Sequence, residues 1–597
     1  MTKRNKSKTK AEFERPEPEL SAEKEKYFDM SVMAVLFAFG VYQSIIYFGH
    51  KVVPISDFTS IVRIGKELLS FQIPSNYKYA PVVGSLQVLL SHLFKGPYPD
   101  LKGGWLLSCI LHPLNLIFFY LIGKKILNRA AVFFALIAIL NYQLIYMLRE
   151  PLVETSLLFF SLATIYLIFQ RSRWAYVLAA VTTMVRYEGA ALILAAFVMD
   201  MIYSDNNRQR LKAFFYSALA TMPLMVWMLG TVLSFKSGES HYLNVLFEKD
   251  YSKSLAGSVE NRTGIMLHLK LLWEVGFRPL FTLDPQGGKD FADSLFNITK
   301  VLAFGCFCFG AVYGLCKKNW NILVLLIFFV PYFILHAFYP YPIRRFHTNI
   351  FWIAQLIVWF AAQSGWSIIN KNERINKWIT SALQLIVVII AGIWLAELLP
   401  YLPKLGKISE TSAYLPVIGI VLTVVFCIGR FYIYWPRKFL REAAIVAFVS
   451  LAIVSNQFLL ASSVRDGKDD AEFKQLADWY LENATGEKLA VYMCGTIWIF
   501  TPEYTENIVQ FPQADSTEEL IKACYKENIT NLVWASREGL NPSHTGYRKL
   551  NLQNTIAFLR KPADEGPLKF ITQIGSKQGY VNIFKLRPIE SNTGTRK

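Results

Sequence analysis

Four acids stand at the ends of long apolar runs: Asp57 in Pro54-Ile55-Ser56-Asp57-Phe58, Glu150 and Glu154 in Arg149-Glu150-Pro151-Leu152-Val153-Glu154, and Glu188 in Arg186-Tyr187-Glu188-Gly189. Cations recur in the same settings: Lys78 between Tyr77 and Tyr79, Arg186, and the run Arg344-Arg345-Phe346-His347. A carboxylate near such groups can take a proton from an acceptor hydroxyl. Arginine offers paired donors in a fixed fork that matches a phosphate, and cationic groups stabilise charge on a departing one. The combination suits displacement of a phosphate from an activated carbon.

Each group also has a plainer reading, which stays open at the level of sequence. Asp57 or Ser56 suits the N-terminus of a helix, where a carboxylate is favoured by the helix dipole. Arg149 and Glu150 suit an ion pair sealing a helix end, and Arg344 and Arg345 suit snorkelling toward headgroups. Glu150 and Glu154 share a helix face by their four-residue spacing, and Pro151 is an ordinary first-turn residue.

The elements that must position these groups are membrane spans. Of 597 residues, 53% are apolar and 15% aromatic, and mean hydropathy is positive. A helix needs about 20 apolar residues to cross the hydrocarbon, and roughly 13 segments before residue 462 qualify. They lie near 30–50, 104–123, 130–147, 151–170, 174–186, 189–203, 211–234, 297–316, 319–338, 347–367, 377–400, 413–433 and 440–461, the fifth and sixth being short for full spans.

The net charge of +18 concentrates in the N-terminal tail and in short loops, the pattern of cytoplasmic retention rather than of nucleic-acid binding. With the tail of residues 1–28 inside, the loops holding Lys124/Lys125/Arg129, Arg171/Arg173, Arg208/Arg210/Lys212, Lys317/Lys318, Lys371/Arg374/Lys377 and Arg437/Lys438/Arg441 are all cytoplasmic. The acids listed first then fall on the opposite, exported side. The predicted organisation is a transmembrane domain over 29–462, with outer loops at 51–103 and 235–296, and an extracytoplasmic domain over 463–597.

Within the first outer loop, Phe58, Ile61, Val62, Ile64, Leu68 and Leu69 recur at helical spacing, predicting an amphipathic interfacial helix headed by Asp57. A second helix is expected over Val82 to Phe94, after the Tyr77-Lys78-Tyr79-Ala80-Pro81 turn. The C-terminal region alternates helical and strand-like runs, from Asp470–Glu482 through Leu489–Met493, Ile508–Phe511, Thr517–Glu527 and Asn531–Trp534 to a hairpin at 570–586, predicting a small α/β fold. It has no phosphate loop or catalytic triad, so its expected role is structural or acceptor-positioning. Seven cysteines are too few for a disulfide framework, although Cys494 and Cys524 lie where an oxidising compartment would permit a bridge. On the predicted outer side, Asn-Xaa-Ser/Thr occurs at Asn261, Asn297, Asn483 and Asn528.

Taken in order, these features resemble the GT-C class of membrane glycosyltransferases. Within it they are most similar to the branch that holds protein O-mannosyltransferases and the bacterial aminoarabinose transferases of lipid A. The resemblance rests on an acid soon after the first span, two juxtamembrane helices, an aromatic-Pro segment at Tyr77 to Pro81, Glu150-Pro151, about 13 spans and an exported C-terminal domain. It implies an α-helical polytopic membrane protein of GT-C fold with a small C-terminal α/β extracytoplasmic domain.

The activity implied is inverting transfer of a monosaccharide from a dolichyl- or undecaprenyl-phosphate donor to a lipid, glycan or protein acceptor. By the resemblance, Asp57 is the catalytic base or the acceptor-positioning acid, Glu150 lies beside the transferred sugar, and Arg344 and Arg345 hold the donor phosphate. Glu154 joins the catalytic set, His347, Arg186 and Lys78 the phosphate set, and Tyr79 and Glu188 the substrate set. The first-loop acid is not followed by Glu as in the protein mannosyltransferases, and no Trp-Trp-Asp of oligosaccharyltransferases is present. Neither a metal nor a cofactor is expected, and nucleic acid is not an expected partner. The alternative reading is a transporter, flippase or ligase of lipid-linked sugars; the clustering of ionisable groups at one face favours the enzyme, since transporters place them near mid-membrane.

Overall fold

A computed structural model describes residues 22–54, 57–74, 77, 79–132, 134–135, 142–236, 269, 272–273, 290–337, 347–369, 471–491, 494–510, 512, 516–536, 557–576 and 579–587. The predicted spans at 377–400, 413–433 and 440–461, most of the 235–296 loop, Lys78, Arg344 and Arg345 lie outside them.

The first four helices form the frame of the candidate site. Helix α1 (Ala22–Tyr47) and helix α4 (Pro99–Leu127) are apolar and long, and both qualify by length and composition to cross a membrane, as does a later helix over Asn207–Leu233. They cross where Gly40 meets Pro113: a Cβ on Gly40 would stand 2.6 Å from the Pro113 Cα. Between them come α2 (Asp57–Leu69) and α3 (Pro81–Ser91). In α2 the predicted apolar spacing is realised in the first two turns, with Phe58, Ile61, Val62 and Ile64 buried, whereas Leu68 is half-buried and Leu69 exposed. Arg63 and Glu67 pair across one turn on its outer face at 3.1 Å. The helix ends ahead of Phe71, whose φ of +57° is a left-handed conformation that stops helical hydrogen bonding. Pro81 supplies the first residue of α3, where its missing N–H costs nothing.

Glycine lets α2 and α3 touch backbone to backbone. A Cβ at Gly84 would fall 2.0 Å from the Ile61 carbonyl oxygen, and one at Gly65 would fall 2.2 Å from the Gly84 carbonyl carbon. Any side chain at either position therefore forces the helices apart.

The bundle continues through α5 (Tyr142–Arg149), α6 (Glu154–Phe169), α7 (Trp174–Val185) and α8 (Ala190–Tyr203). The predicted short fifth and sixth spans are two separate helices, α7 and α8, joined by a single 3-10 turn at Tyr187–Gly189. Helices α9 (Asn207–Lys236), α10 (Asp290–Cys316), α11 (Trp320–Ala337) and α12 (Phe351–Ile369) complete the described bundle. Its interior packs aromatic edges against faces, as where Trp352 meets Phe119 at 5.7 Å between ring centroids.

Residues 471–587 add a five-stranded sheet in the order β2-β1-β3-β5-β4, built from β1 (Leu489–Val491), β2 (Ile508–Val509), β3 (Asn531–Ala535), β4 (Leu568–Ser576) and β5 (Gly579–Leu586). Strand β1 runs parallel to β2 and β3, and β5 runs antiparallel to β3 and β4. Three helices accompany it: α13 (Ala471–Asn483), α14 (Cys494–Trp498) and α15 (Thr517–Lys526). The last begins as its sequence directs, with the Ser516 hydroxyl accepting from the Glu519 N–H at 3.2 Å. Cys494 and Cys524 are free thiols; burial pushes the Cys524 thiol up to about 12, with Glu527 adding to it. This domain rests on the first loop: the Thr59 hydroxyl donates to the Gly495 carbonyl at 3.1 Å, and Tyr98 meets Phe500 edge to face at 5.1 Å.

Candidate active site

Asp57 opens α2, so its carboxylate stands beside backbone N–H groups that have no partner within the helix. The Tyr79 hydroxyl donates to Asp57 Oδ1 at 2.6 Å. The cap reading and the chemical reading are thus compatible: the helix end fixes the main chain, and the tyrosine orients the side chain.

The turn that carries Tyr79 is pinned from the opposite side. Tyr77 packs on Gly230 of α9, where a Cβ would come within 2.4 Å of its ring, and its centroid lies 4.8 Å from that of Trp227. Its carbonyl accepts from the Tyr187 hydroxyl at 2.9 Å, and that hydroxyl in turn accepts from Trp227 Nε1 at 3.1 Å. The break between α7 and α8 therefore anchors the loop that faces Asp57.

Glu150 and Pro151 lie in the break between α5 and α6, so Glu150 shares no helix face with Glu154, the first residue of α6; Glu150 is buried there and ion-paired with Lys51. Its neighbour Pro151 ties this turn to the frame, since the Pro151 carbonyl accepts from Gln87 Nε2 of α3 at 2.7 Å. Gly104 of α4 is the meeting point: a Cβ there would lie 2.8 Å from both the Phe58 ring and the Pro151 ring, and 3.5 Å from Gln87 Nε2. The residues next to Asp57 and next to Glu150 thus converge on one glycine.

Glu154 and Glu188 share Arg186. Its Nε lies 2.9 Å from Glu188 Oε1 and its Nη1 lies 3.7 Å from Glu154 Oε1. Opposite, His336 Nε2 of α11 lies 2.8 Å from the same Glu188 oxygen. Burial by itself would raise the Glu188 carboxyl, but the Arg186 guanidinium and His336 outweigh it and hold it down to about 2. His347 is buried beside this cluster, its ring 5.9 Å from Phe333 and 6.3 Å from His336.

Of the predicted site residues, the structure brings Asp57 to Tyr79, and Glu154, Arg186 and Glu188 to one another. Arg186, expected to face an anion, directs its guanidinium at two carboxylates. Lys51 and His336 escaped the sequence reading. Lys51 follows directly on an apolar run, where lysines ordinarily snorkel. His336 is a lone histidine within an apolar helix, the setting of an ordinary core residue. Each is explained by a buried acid that needs a counter-group.

No protein-family model matches the sequence, and no curated protein matches it. Solved structures do match in shape. ArnT from Cupriavidus metallidurans bound to undecaprenyl phosphate aligns over 94% of this chain and 98% of its own, at 10% identity and a TM-score of 0.53. The apo form of the same protein aligns over 92% and 97%, at 11% identity and a TM-score of 0.51. The apo oligosaccharyltransferase of Archaeoglobus fulgidus aligns over 86% of this chain and 70% of its own, at 12% identity and a TM-score of 0.47. Nearly the whole length of ArnT is matched, and by that likeness the chain has the GT-C fold.

Proposed function

We propose that the protein is an inverting glycosyltransferase. It moves a monosaccharide from a polyprenyl-phosphate donor to an acceptor on the exported face of its membrane. The observation that carries this reading is the oriented carboxylate of Asp57, held by Tyr79 at 2.6 Å at the head of an amphipathic helix. That helix is packed above an apolar bundle of GT-C fold. The basic loops between apolar runs support a cytoplasmic N-terminus and hence the side assigned to the site.

In this reading Asp57 accepts the proton of an acceptor nucleophile. The acceptor oxygen attacks the anomeric carbon from the face opposite the phosphate, a new glycosidic bond forms, and the bond from carbon to phosphate oxygen breaks with inversion. The polyprenyl phosphate leaves carrying the electron pair, its charge stabilised by Lys78, Arg344 and Arg345. Glu150 stands beside the transferred sugar. Arg186, engaged by two carboxylates, shapes the wall of the site with Glu154, Glu188 and His347. The ArnT match was crystallised with undecaprenyl phosphate, which supports a donor of that chemistry here.

The test is to incubate the purified full-length protein with a panel of radiolabelled dolichyl- and undecaprenyl-phosphate sugars and candidate lipid, glycan and peptide acceptors. Transfer from at least one monophosphate donor, with an inverted anomeric centre in the product, is the expected result. Consumption of none of them, or use only of diphosphate-linked donors, contradicts the reading.

A further inference from the structure

Lys51 lies four residues beyond the end of α1, in the segment that leads through Val53 and Pro54 to Asp57. Its ammonium is paired with the Glu150 carboxylate across 99 positions of sequence, and the two side chains are only 10% and 4% exposed. Burying two charges costs desolvation that their attraction often fails to repay, so such a pair is a poor device for stability alone. What it provides is a fixed carboxylate. The Glu150 main chain is already held: its carbonyl accepts from the Leu152 N–H at 2.8 Å, and the next carbonyl accepts from Gln87. Lys51 acts on the side chain, pairing with its carboxylate. Because the same short segment begins α2 six residues later, one lysine also links the Glu150 side chain to the element that carries Asp57.

We infer that Lys51 is a positioning residue of the transfer reaction, holding the Glu150 carboxylate in place beside the sugar and acting on the rate through Glu150. The inference rests on the transferase reading above. It assigns Lys51 no contact with the donor phosphate, so its removal reaches kcat and leaves donor affinity in place.

The experiment is a double-mutant cycle on the purified full-length protein: wild type, K51M, E150Q and K51M/E150Q, with K51R as the charge-conserving control. Transfer is measured at saturating and limiting donor, and thermal unfolding is followed alongside. A misplaced catalytic group costs on the order of 100-fold, so K51M is expected to lose about 30- to 100-fold in kcat with donor KM within about threefold of wild type. K51R restores most of the rate, and K51M/E150Q is no slower than E150Q, because the two residues act as one unit. K51M takes this partner from a buried carboxylate; should it fail to fold, K51R, which keeps the pair, and K51M/E150Q, which removes both of its charges, decide the matter. Losses that multiply in the double variant, a K51M defect confined to KM, or wild-type rates in K51M or in a double variant overturn the inference. Wild-type protein that transfers from no donor overturns the transferase reading first, and is told apart because it fails before any substitution is made.

Discussion

The hydroxyl of Tyr79 donates to Asp57 Oδ1 at 2.6 Å, joining the last residues of the first loop's aromatic turn to the first residue of its amphipathic helix. The contact fixes one oxygen of the carboxylate from outside the helix. Y79F removes the donor and keeps the ring, so the expected effect is a fall in kcat of about 10- to 150-fold with unfolding little changed, the scale of one hydrogen bond to a charged group. Steady-state transfer and thermal unfolding of Y79F measure both. A Y79F enzyme with wild-type kcat would remove this tyrosine from the site.

Glycine at 84 is required by contact. A Cβ there meets the Ile61 carbonyl oxygen at 2.0 Å, and neither backbone can yield without separating α2 from α3. G84A is expected to cost about 1–3 kcal/mol, the range for overpacking, and to move Asp57 relative to Tyr79. Transfer should therefore fall further than the drop in unfolding temperature alone explains, which parallel activity and unfolding measurements detect.

The Tyr187 hydroxyl couples two parts of the site, donating to the Tyr77 carbonyl and accepting from Trp227. Y187F leaves a buried indole N–H and a carbonyl without this partner, at a cost of about 1–3 kcal/mol. The loop so loosened carries Lys78. The expected outcome is a raised donor KM with a smaller change in kcat, read from initial rates across donor concentrations.

Glu188 sets a pH dependence of stability. Its carboxyl is held down to about 2 from an ordinary 4.5, against the opposing effect of burial, by Arg186 and His336. A group whose folded pKa is depressed contributes stability above its unfolded pKa and loses it as pH falls through the folded value. Wild-type protein should thus lose this contribution progressively between about pH 4.5 and pH 2. E188Q should be less stable near neutrality by about 3–5 kcal/mol, the cost of breaking a buried pair from one side. Its unfolding temperature should also vary less with pH across that acid window. Unfolding scans of both proteins from pH 7 to acid check the sign.

Much of the frame is legible in the sequence, and the reasons are local. Helix α2 follows from apolar residues at three- and four-residue spacing after an acid, and α3 from Pro81 ahead of an apolar run. The break between α7 and α8 follows from Arg186 and Glu188 interrupting apolar sequence. What sequence does not carry is which charges meet. Lys51 and Glu150 are 99 positions apart, and His336 reaches Glu188 from another helix; neither neighbourhood predicts the other. Arg186 illustrates the same limit. An arginine at a span boundary suggests an anion, and only the packing of α6 against α7 and the turn after it reveals two carboxylates as its partners. The convergence of Phe58, Gln87 and Pro151 on Gly104 is likewise a property of three dimensions.

In the proposed reaction Asp57 is the base of a transfer from a polyprenyl-phosphate sugar. The most direct measurement compares wild type with D57N, an isosteric change that removes the carboxylate charge, using the same donor and acceptor. Wild type is expected to transfer; D57N is expected to bind the donor within about threefold of wild type and to transfer at least about 100-fold more slowly, the scale of lost general-base catalysis. Transfer by D57N at the wild-type rate would exclude Asp57 as the base.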